Sequence, residues 1–288
     1  MKLTNKYDLP EAFENYEKVH AYSKGDSDIS TTTLIDSPRI SYLKSIHHEE
    51  VEEDISDRIM SILGTAVHHI LEEGAGEYDK VEERLYAEYK GVVLSGQIDV
   101  MTPVEGGYLL QDYKTCSAFA IQANPKGKRE WENQLNVYAS LAEQNGIDVV
   151  GIEVVAIVRD WTRAGLKRSR DYPAHAVVRI PIKLWDALDR EKYIQKRIDM
   201  HKDASRAVCT ADDMWKRESK YAVHKGESKR ATRVFDNGKD AYDFIFQSEA
   251  THHVIERPGS RARCEGNYCG VADFCKQFKN SQPGKFYE

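Results

Sequence analysis

Two carboxylates and one lysine in the middle of the chain have the types and spacing that could do chemistry. Asp99 closes the segment Leu94–Asp99, in which apolar and polar residues alternate, and Asp112 and Lys114 belong to Tyr108–Lys114. A period of two is typical of strands that present their polar side chains on one face. We therefore expect Asp112 and Lys114 to share a face of their strand.

The turn between these strands would bring the three polar groups together. A hairpin symmetric about Glu105–Gly106 places Asp99 opposite Asp112, with Cβ atoms ~5 Å apart. The same register places Gln97 opposite Lys114. Two adjacent carboxylates repel unless a cation bridges them, and their hard oxygens favour Mg²⁺ or Mn²⁺. Such an ion can acidify a water and neutralise charge on a phosphate, while a lysine stabilises oxygen charge. The alternative is a surface hairpin with an ordinary ion pair.

A helix predicted over residues 57–73 carries a second candidate group. Gly64, Thr65, His68 and Glu72 fall on one face of this helix, opposite an apolar stripe. His68 could be a metal ligand on this small and polar face. The alternative is a structural or solvated histidine, which is the commoner use of a single helical histidine.

A later helix, Arg129–Gln144, places Gln134 and Tyr138 on one face together with Trp131 and Leu135. These four residues follow the i, i+3, i+4, i+7 spacing of an amphipathic helix. Gln134 and Tyr138 could flank a site. The alternative is that the apolar members are core residues and Gln134 lies at the edge of the core.

Four segments in this order resemble the RecB-type branch of the PD-(D/E)XK nucleases, which includes recombination nucleases, CRISPR adaptation nucleases and many phage exonucleases. The segments are Gly-Thr-x-x-His from Gly64, Gly-x-Ile-Asp from Gly96, Asp-Tyr-Lys-Thr from Asp112 and Gln-Leu-x-x-Tyr from Gln134. The resemblance covers roughly residues 30–160 and resumes at the C-terminal cysteines. Each motif is weak alone, but four motifs in order are specific.

The resemblance implies a role for each motif residue. Asp99 and Asp112 would be acidic metal ligands and Lys114 the catalytic lysine. Gln134 and Tyr138 would flank the metal centre and contact DNA or the lysine. His68 would be a further ligand, of the type that favours Mn²⁺, and Glu88 is the expected upstream acidic residue.

The C-terminal cysteines Cys264, Cys269 and Cys275 resemble the three-cysteine clasp of the iron–sulfur members of this branch. Those relatives supply a fourth cysteine from an N-terminal segment, but here Ser37 stands at that position, and serine is a poor cluster ligand. Three alternatives stay open. Cys209 or a histidine completes an iron–sulfur or zinc site, three cysteines bind a cluster weakly, or the cysteines only pack.

The pattern of elements predicts an α/β fold with a restriction-endonuclease-like core, in which helices flank a central mixed sheet. Strands are predicted at 82–89, 91–101, 107–115, 149–158 and 174–182, and a helix at 183–203, whereas residues 1–56 read as irregular. Residues 213–247 predict two strands and a helix. We expect a nuclease core with an N-terminal arm over 1–208, a small ββα accessory module over 209–250, and a cysteine segment over 251–288 that packs back on the core.

The net charge of −6 gives no general attraction for a polyanion, so nucleic acid would have to meet local basic patches. Three basic groups could form them, unless they are only solvated loops: Arg159, Arg163, Lys167, Arg168 and Arg170; Lys225, Lys229, Arg230 and Arg233; Arg257, Arg261 and Arg263. No stretch approaches the ~18 apolar residues of a membrane helix. Without a secretory signal, a cytoplasmic location in a prokaryotic cell or a phage-infected host is expected.

The leading hypothesis is an Mg²⁺- or Mn²⁺-dependent DNA exonuclease that acts in phage or prokaryotic recombination or replication. Its expected partners are DNA and either further copies of the chain or a recombination protein. One alternative is a catalytically silent nucleic-acid-binding protein that retains the nuclease fold. Another is a zinc-stapled interaction protein, for which the cysteines would matter and Asp112 would not.

Overall fold

The computed structural model describes residues 2–19, 23–248 and 251–281. The expected domain ends at residues 1, 249–250 and 282–288 lie outside this range. The chain divides into two compact units. The first holds the residues up to Pro38 together with Glu52–Ser205, and the second holds Arg39–Val51 and the residues from Arg206 onward.

Strands and helices alternate along most of the chain. The strands are β1 (Lys2–Thr4), β2 (Ile29–Ser30), β3 (Glu52–Asp54), β4 (Lys80–Tyr89), β5 (Val92–Val104), β6 (Gly107–Cys116), β7 (Val149–Val158), β8 (Val177–Ile182), β9 (Lys216–Arg217), β10 (Lys220–Lys225), β11 (Arg233–Phe235), β12 (His252–Arg257) and β13 (Ser260–Arg261). The helices are α1 (Glu11–Val19), α2 (Thr31–Ile35), α3 (Pro38–Ile46), α4 (Ile55–Glu73), α5 (Ala118–Ala123), α6 (Arg129–Gln144), α7 (Arg163–Arg168), α8 (Ala187–Lys202), α9 (Gly238–Phe246), α10 (Ala262–Glu265) and α11 (Lys276–Lys279), with a 3₁₀ turn at Ala272–Phe274.

The first unit is built on a six-stranded mixed sheet in which β5 has three partners. β4 runs antiparallel along one edge of β5, while β6 and the short β2 share the other edge. β6 continues to a parallel β7, and β7 to an antiparallel β8. The apolar core lies between this sheet and helices that include α6 and α8. The predicted mixed sheet flanked by helices is confirmed.

The strongest sequence patterns give the most accurate boundaries. The β-branched run Val149–Val158 forms β7 and the helical pattern Arg129–Gln144 forms α6, both at the predicted residues. The helix predicted from residue 183 begins instead at Ala187, because the Asp186 side chain accepts the Asp189 N–H and caps the helix there.

The prediction of an irregular N-terminal segment over 1–56 is wrong. This stretch contains α1, α2 and α3, all of them nine residues or shorter. Ser30 caps α2 by accepting the Thr33 N–H, and Pro38 opens α3 at a position where its missing N–H costs nothing. Helices this short have little room for a visible apolar period, so their caps are the main sequence signal.

Asp54 fixes the start of α4, the helix that carries His68. Its Oδ1 accepts the Ser56 N–H at 3.0 Å, while its Oδ2 accepts the Lys6 N–H at 2.8 Å and the Thr4 hydroxyl at 2.9 Å. These hydrogen bonds, led by the one from Lys6, hold the pKa of the Asp54 carboxyl well below its usual range. One side chain thus joins the N-terminal strand to the first turn of α4.

We expect Asp54→Ala to lower the Tm at pH 7 by several degrees, because the cap and its two cross-links are lost together. A carboxyl whose pKa is depressed in the folded state stabilises it above the unfolded-state pKa, and this contribution disappears as the pH falls through the folded-state pKa. The Tm gap from wild type should therefore narrow below about pH 4. Asp57→Ala, which removes an exposed carboxylate from the same first turn, is the control. Equal Tm values for the Asp54 variant and wild type at pH 7 would contradict the prediction.

The second unit contains the predicted two strands and helix, with a third strand added. β11, β10 and β12 form an antiparallel sheet, against which α9 packs. β12 was expected to belong to the C-terminal cysteine segment, but it pairs with β10 along its whole length and supplies the hydrogen bonds that this edge would otherwise lack. A separate apolar cluster of this unit joins Ile40, Leu43 and Val51 to residues near the cysteines.

Among the described helices, none combines the length and the apolar character that crossing a bilayer would require.

Candidate metal centre

Three side chains from three elements of the first unit converge at the middle of the central sheet. They are His68 of α4, Glu82 of β4 and Asp99 of β5, whose ligand atoms all lie within 4.8 Å of one another. His68 Nδ1 is 3.6 Å from Asp99 Oδ1 and 3.8 Å from Glu82 Oε1. One imidazole nitrogen and two carboxylates are a set that could hold a divalent metal ion.

The orientation of His68 is fixed by its other ring nitrogen. Nε2 lies 2.9 Å from the carbonyl oxygen of Tyr113, and since a carbonyl can only accept, Nε2 is the donor. Nδ1 is therefore the atom turned toward the carboxylates. Burial lowers the pKa of His68, but the nearby carboxylates of Glu82 and Asp99 outweigh it and raise the pKa to about 8. An ion bound at Nδ1 would displace the proton held there.

Asp99 is held by the backbone of the neighbouring strand. Its Oδ2 accepts the Tyr113 N–H at 2.7 Å, which leaves Oδ1 directed at His68. The carboxyl is buried, and burial together with the negative charge of Asp112 raises its pKa. A divalent cation would relieve this crowding of negative charge.

Asp112 and Lys114 of β6 form an ion pair in which the carboxylate is buried and the lysine is partly exposed. Asp112 is 2% exposed, and neither of its oxygens accepts a hydrogen bond of good geometry from any described residue. Lys114 Nζ lies 2.5 Å from Asp112 Oδ2. Burial lowers the pKa of Lys114, but the charges of Asp112 and Asp99 outweigh it and raise that pKa. A buried carboxylate whose oxygens lack a hydrogen bond of good geometry is well suited to a hard cation, so the residues present fit a divalent ion.

The strand order explains why polar groups collect here. β6 pairs with β5 only from Val100 to Val104, and β2 takes the same edge at Leu94–Ser95. The strands therefore fork beside Asp99. The predicted hairpin register is confirmed as far as Val100–Gln111, where the recorded pairing of β5 with β6 ends.

Two details of the expected hairpin are corrected by this fork. The Tyr113 N–H is bound by the Asp99 side chain, so Asp99 and Asp112 are not a ladder pair. Gln97 was expected opposite Lys114, but its amide donates to Glu82 Oε2 at 2.7 Å on the β4 side.

Glu82 is the site residue that sequence reasoning missed. The β4–β5 ladder pairs Val81 with Val100 and Glu83 with Ile98, so Glu82 stands opposite Asp99 in the same register but outside the ladder. Its φ of 49° lies in the left-handed region, which costs about 1–3 kcal/mol for such a residue. Strained backbone of this kind clusters at functional sites, which makes Glu82 a candidate metal ligand.

Glu88 is not the upstream acidic residue of this centre. It pairs with Val93 near the far end of the β4–β5 hairpin. Six residues of strand separate it from Glu82, which is about 20 Å. Its side chain is exposed.

Gln134 and Tyr138 are both buried on α6, and the Gln134 amide donates to the Tyr138 hydroxyl at 2.8 Å. The helix lies close to β5 because Gly96 has no side chain. A Cβ at Gly96 would lie 2.8 Å from the Tyr138 ring and 2.7 Å from Leu141. The charge of Glu130, in the first turn of the same helix, contributes to the raised pKa of Lys114.

The cysteines belong to the second unit, apart from Cys116. Cys269 and Cys275 are buried in its apolar cluster, and burial raises the pKa of the Cys264 and Cys269 thiols. Within the described ranges, His68, Glu82 and Asp99 are the one set of three potential ligands that meets the 4.8 Å distance, and the cysteines form no such set. A cluster at Cys264, Cys269 and Cys275 stays a prediction, which iron analysis of anaerobically purified protein can test.

Comparison with known proteins gives distant likenesses only. No protein-family model and no curated protein matches the sequence. The crystal structure of a protein named SSO0001 has a TM-score of 0.48 at 16% identity, covering 70% of this chain and 89% of that one. A phage-related exonuclease from Haemophilus somnus 129PT has a TM-score of 0.28 at 14% identity, covering 67% and 80%. Neither likeness is close enough to carry an argument, so the function has to be inferred from the site itself.

Proposed function

We propose that the chain is an Mg²⁺- or Mn²⁺-dependent deoxyribonuclease, an exonuclease of the RecB-type branch of the PD-(D/E)XK nucleases. The observation that carries the proposal is Asp112, a buried carboxylate that is paired with Lys114 and has no hydrogen-bond partner of good geometry among the described residues. The group of His68, Glu82 and Asp99 supports it from the neighbouring strands and helix. On this reading the residues up to 208 form the nuclease core.

Asp99 and Asp112 would hold the ion, and His68 and Glu82 would complete its protein ligands. When bound, a divalent ion at these oxygens would acidify a water and neutralise charge that develops on the scissile phosphate. An imidazole ligand suits Mn²⁺ better than Mg²⁺, because Mg²⁺ strongly prefers oxygen. We therefore expect higher activity with Mn²⁺ at low metal concentration.

Lys114 contributes a positive charge beside Asp112. Because the charges of Asp112 and Asp99 raise its pKa, its amino group is an ammonium at neutral pH and acts as a hydrogen-bond donor, not as a base. It can orient the attacking water or stabilise the phosphate oxygens as their negative charge grows. The Tyr113 backbone assists indirectly, since its N–H fixes Asp99 and its carbonyl fixes His68.

Gln134 and Tyr138 are proposed to act from α6, as a hydrogen-bonded pair that contacts DNA or supports Lys114. The proposed setting is phage or prokaryotic recombination or replication, with DNA as the substrate. Further copies of the chain, or a recombination protein, are the proposed protein partners.

The proposal is tested with linear, nicked and covalently closed circular DNA, labelled at either end where ends exist. We expect release of label from linear DNA with Mn²⁺ or Mg²⁺, no release with EDTA, and no cutting of closed circles. Cutting of closed circles would show that the protein is an endonuclease and not an exonuclease. Saturable DNA binding with no cleavage under any metal would favour a silent nucleic-acid-binding protein.

A further inference from the structure

Phe119 is a large apolar side chain that is exposed to water on α5, the helix that follows β6 and Lys114. It lies on α5, five residues after Lys114 along the chain, and is 74% exposed. One exposed apolar residue is ordinary on a protein surface. Its meaning therefore depends on what surrounds it.

The segment that follows β7 is strongly basic. We call residues 159–170 the basic segment, which has five cations and one acidic residue in a chain of net charge −6. Its cationic side chains are all on exposed residues: Arg159, Arg163, Lys167, Arg168 and Arg170. The one acidic residue, Asp160, accepts the Ala118 N–H at 2.7 Å and so holds the start of α5.

Phe119 and the basic segment belong to one surface of the first unit. β6 and β7 are parallel and end side by side at Cys116 and Val158. The Arg159 N–H then donates to the Cys116 carbonyl at 3.0 Å, and the Gln122 amide of α5 lies 3.5 Å from the Ser169 hydroxyl. α5 and the basic segment are thus anchored at the same end of the sheet, just after Lys114 along β6.

We infer that this surface, resting on the proposed nuclease function, binds the single-stranded end of a nucleic-acid substrate. A base would stack on the Phe119 ring, while Arg163, Lys167 and Arg170 would contact the phosphates. Aromatic stacking combined with basic side chains is how proteins bind single strands without regard to sequence, because every base has a π-face. A paired duplex hides those faces, so an exposed ring favours an unpaired or frayed end.

Stacking is tested by equilibrium binding of a single-stranded oligonucleotide that contains 2-aminopurine, in EDTA so that no cleavage occurs. We expect Phe119→Ala to weaken binding roughly tenfold and to remove fluorescence quenching, and Phe119→Tyr to retain both. Because the side chain is exposed, its removal should leave the fold intact. Tyr7→Ala, which removes another exposed aromatic ring (70% exposed) of this unit, should bind as wild type does.

The phosphate contacts are tested by the salt dependence of the same binding. Removing two contacts with single-stranded DNA should reduce the slope of log K against log salt by about 1.4, which we expect for the double variant Arg163→Gln, Lys167→Gln. The control is Lys192→Gln, Lys196→Gln, which removes two exposed lysines of α8 and should leave the slope unchanged.

The possible failures are distinguishable. If the protein cleaves DNA but Phe119→Ala binds single strands as wild type does, the stacking surface is wrong and the nuclease proposal stands. If no metal supports cleavage but Phe119→Ala weakens single-strand binding, the nuclease proposal fails and the surface stands. If Phe119→Ala lost equal affinity for a blunt duplex and for a single strand, the proposed preference for an unpaired end would be wrong.

Discussion

Replacing Lys114 with methionine is expected to lower the rate of DNA cleavage about 10²- to 10³-fold, the usual loss when one donor to a developing oxyanion is removed. Methionine keeps the length and apolar stem of lysine but removes the ammonium that lies 2.5 Å from Asp112 Oδ2. About a quarter of the Lys114 side chain is exposed, so the side chain is not fully enclosed by the protein. DNA affinity should change far less than the rate, because the proposed phosphate contacts are made by other cations.

The measurement is a single-turnover cleavage rate at saturating Mn²⁺, with DNA affinity measured separately in EDTA. Lys192→Met, at an exposed lysine of α8, is the matched control and should cleave within about twofold of wild type. If Lys114→Met, in protein free of contaminating nuclease, cleaved DNA at the wild-type rate, Lys114 would not be a catalytic residue.

Glu82→Gln is expected to weaken Mn²⁺ binding by about 10- to 100-fold or more. Loss of an outer partner of a metal ligand already costs this much, and Glu82 would be a ligand itself. The substitution keeps the size of the side chain and an oxygen that can accept the Gln97 amide, so the fold should persist. Isothermal titration calorimetry with Mn²⁺ measures the affinity directly.

Glu88→Gln is the control, because it removes one carboxylate from the same strand at a site about 20 Å away. We expect its Mn²⁺ affinity to equal that of wild type. If the two variants lost affinity equally, a general charge effect would explain the loss. If Glu82→Gln bound Mn²⁺ as wild type does, Glu82 would not be a ligand.

The sequence was sufficient for the parts of the fold that depend on periodicity. The run Val149–Val158 and the pattern Arg129–Gln144 predicted β7 and α6 without error, because both segments are long and largely buried. Short helices such as α2 and α3 were missed, since their formation depends on caps and on the packing of distant segments. The fork of β5 between β2 and β6 also depends on distant pairing and leaves no local pattern.

Glu82 could have been found by counting from the turn of its hairpin. Lys90 and Gly91 have φ values of 52° and 73°, as the two central residues of a tight two-residue hairpin loop do. A loop of this kind pairs Tyr89 with Val92 and, counting outward, places Glu82 opposite Asp99. The positive φ of Glu82 has no such signal in the sequence.

The apolar stripe of α4 was predicted from the sequence pattern, but its residues are less buried than such a pattern usually implies. The sequence predicted this helix, and the structure contains it, yet Leu63 and Ile70 of the predicted stripe are 40% and 65% exposed. Ile55 is its one buried residue within the described part of the chain. Periodicity therefore predicted the element and the face of His68, but not how deeply the opposite face is covered.

The most direct test of the metal centre is the cleavage rate of Asp112→Asn on end-labelled linear DNA at saturating Mn²⁺, with circular dichroism to show that the variant is folded. Asparagine preserves the shape of the side chain but removes the charge that would hold the ion and that pairs with Lys114. We expect the rate to fall by at least about 10³-fold. A folded Asp112→Asn protein that cleaves within about twofold of wild type would contradict the assignment of this centre.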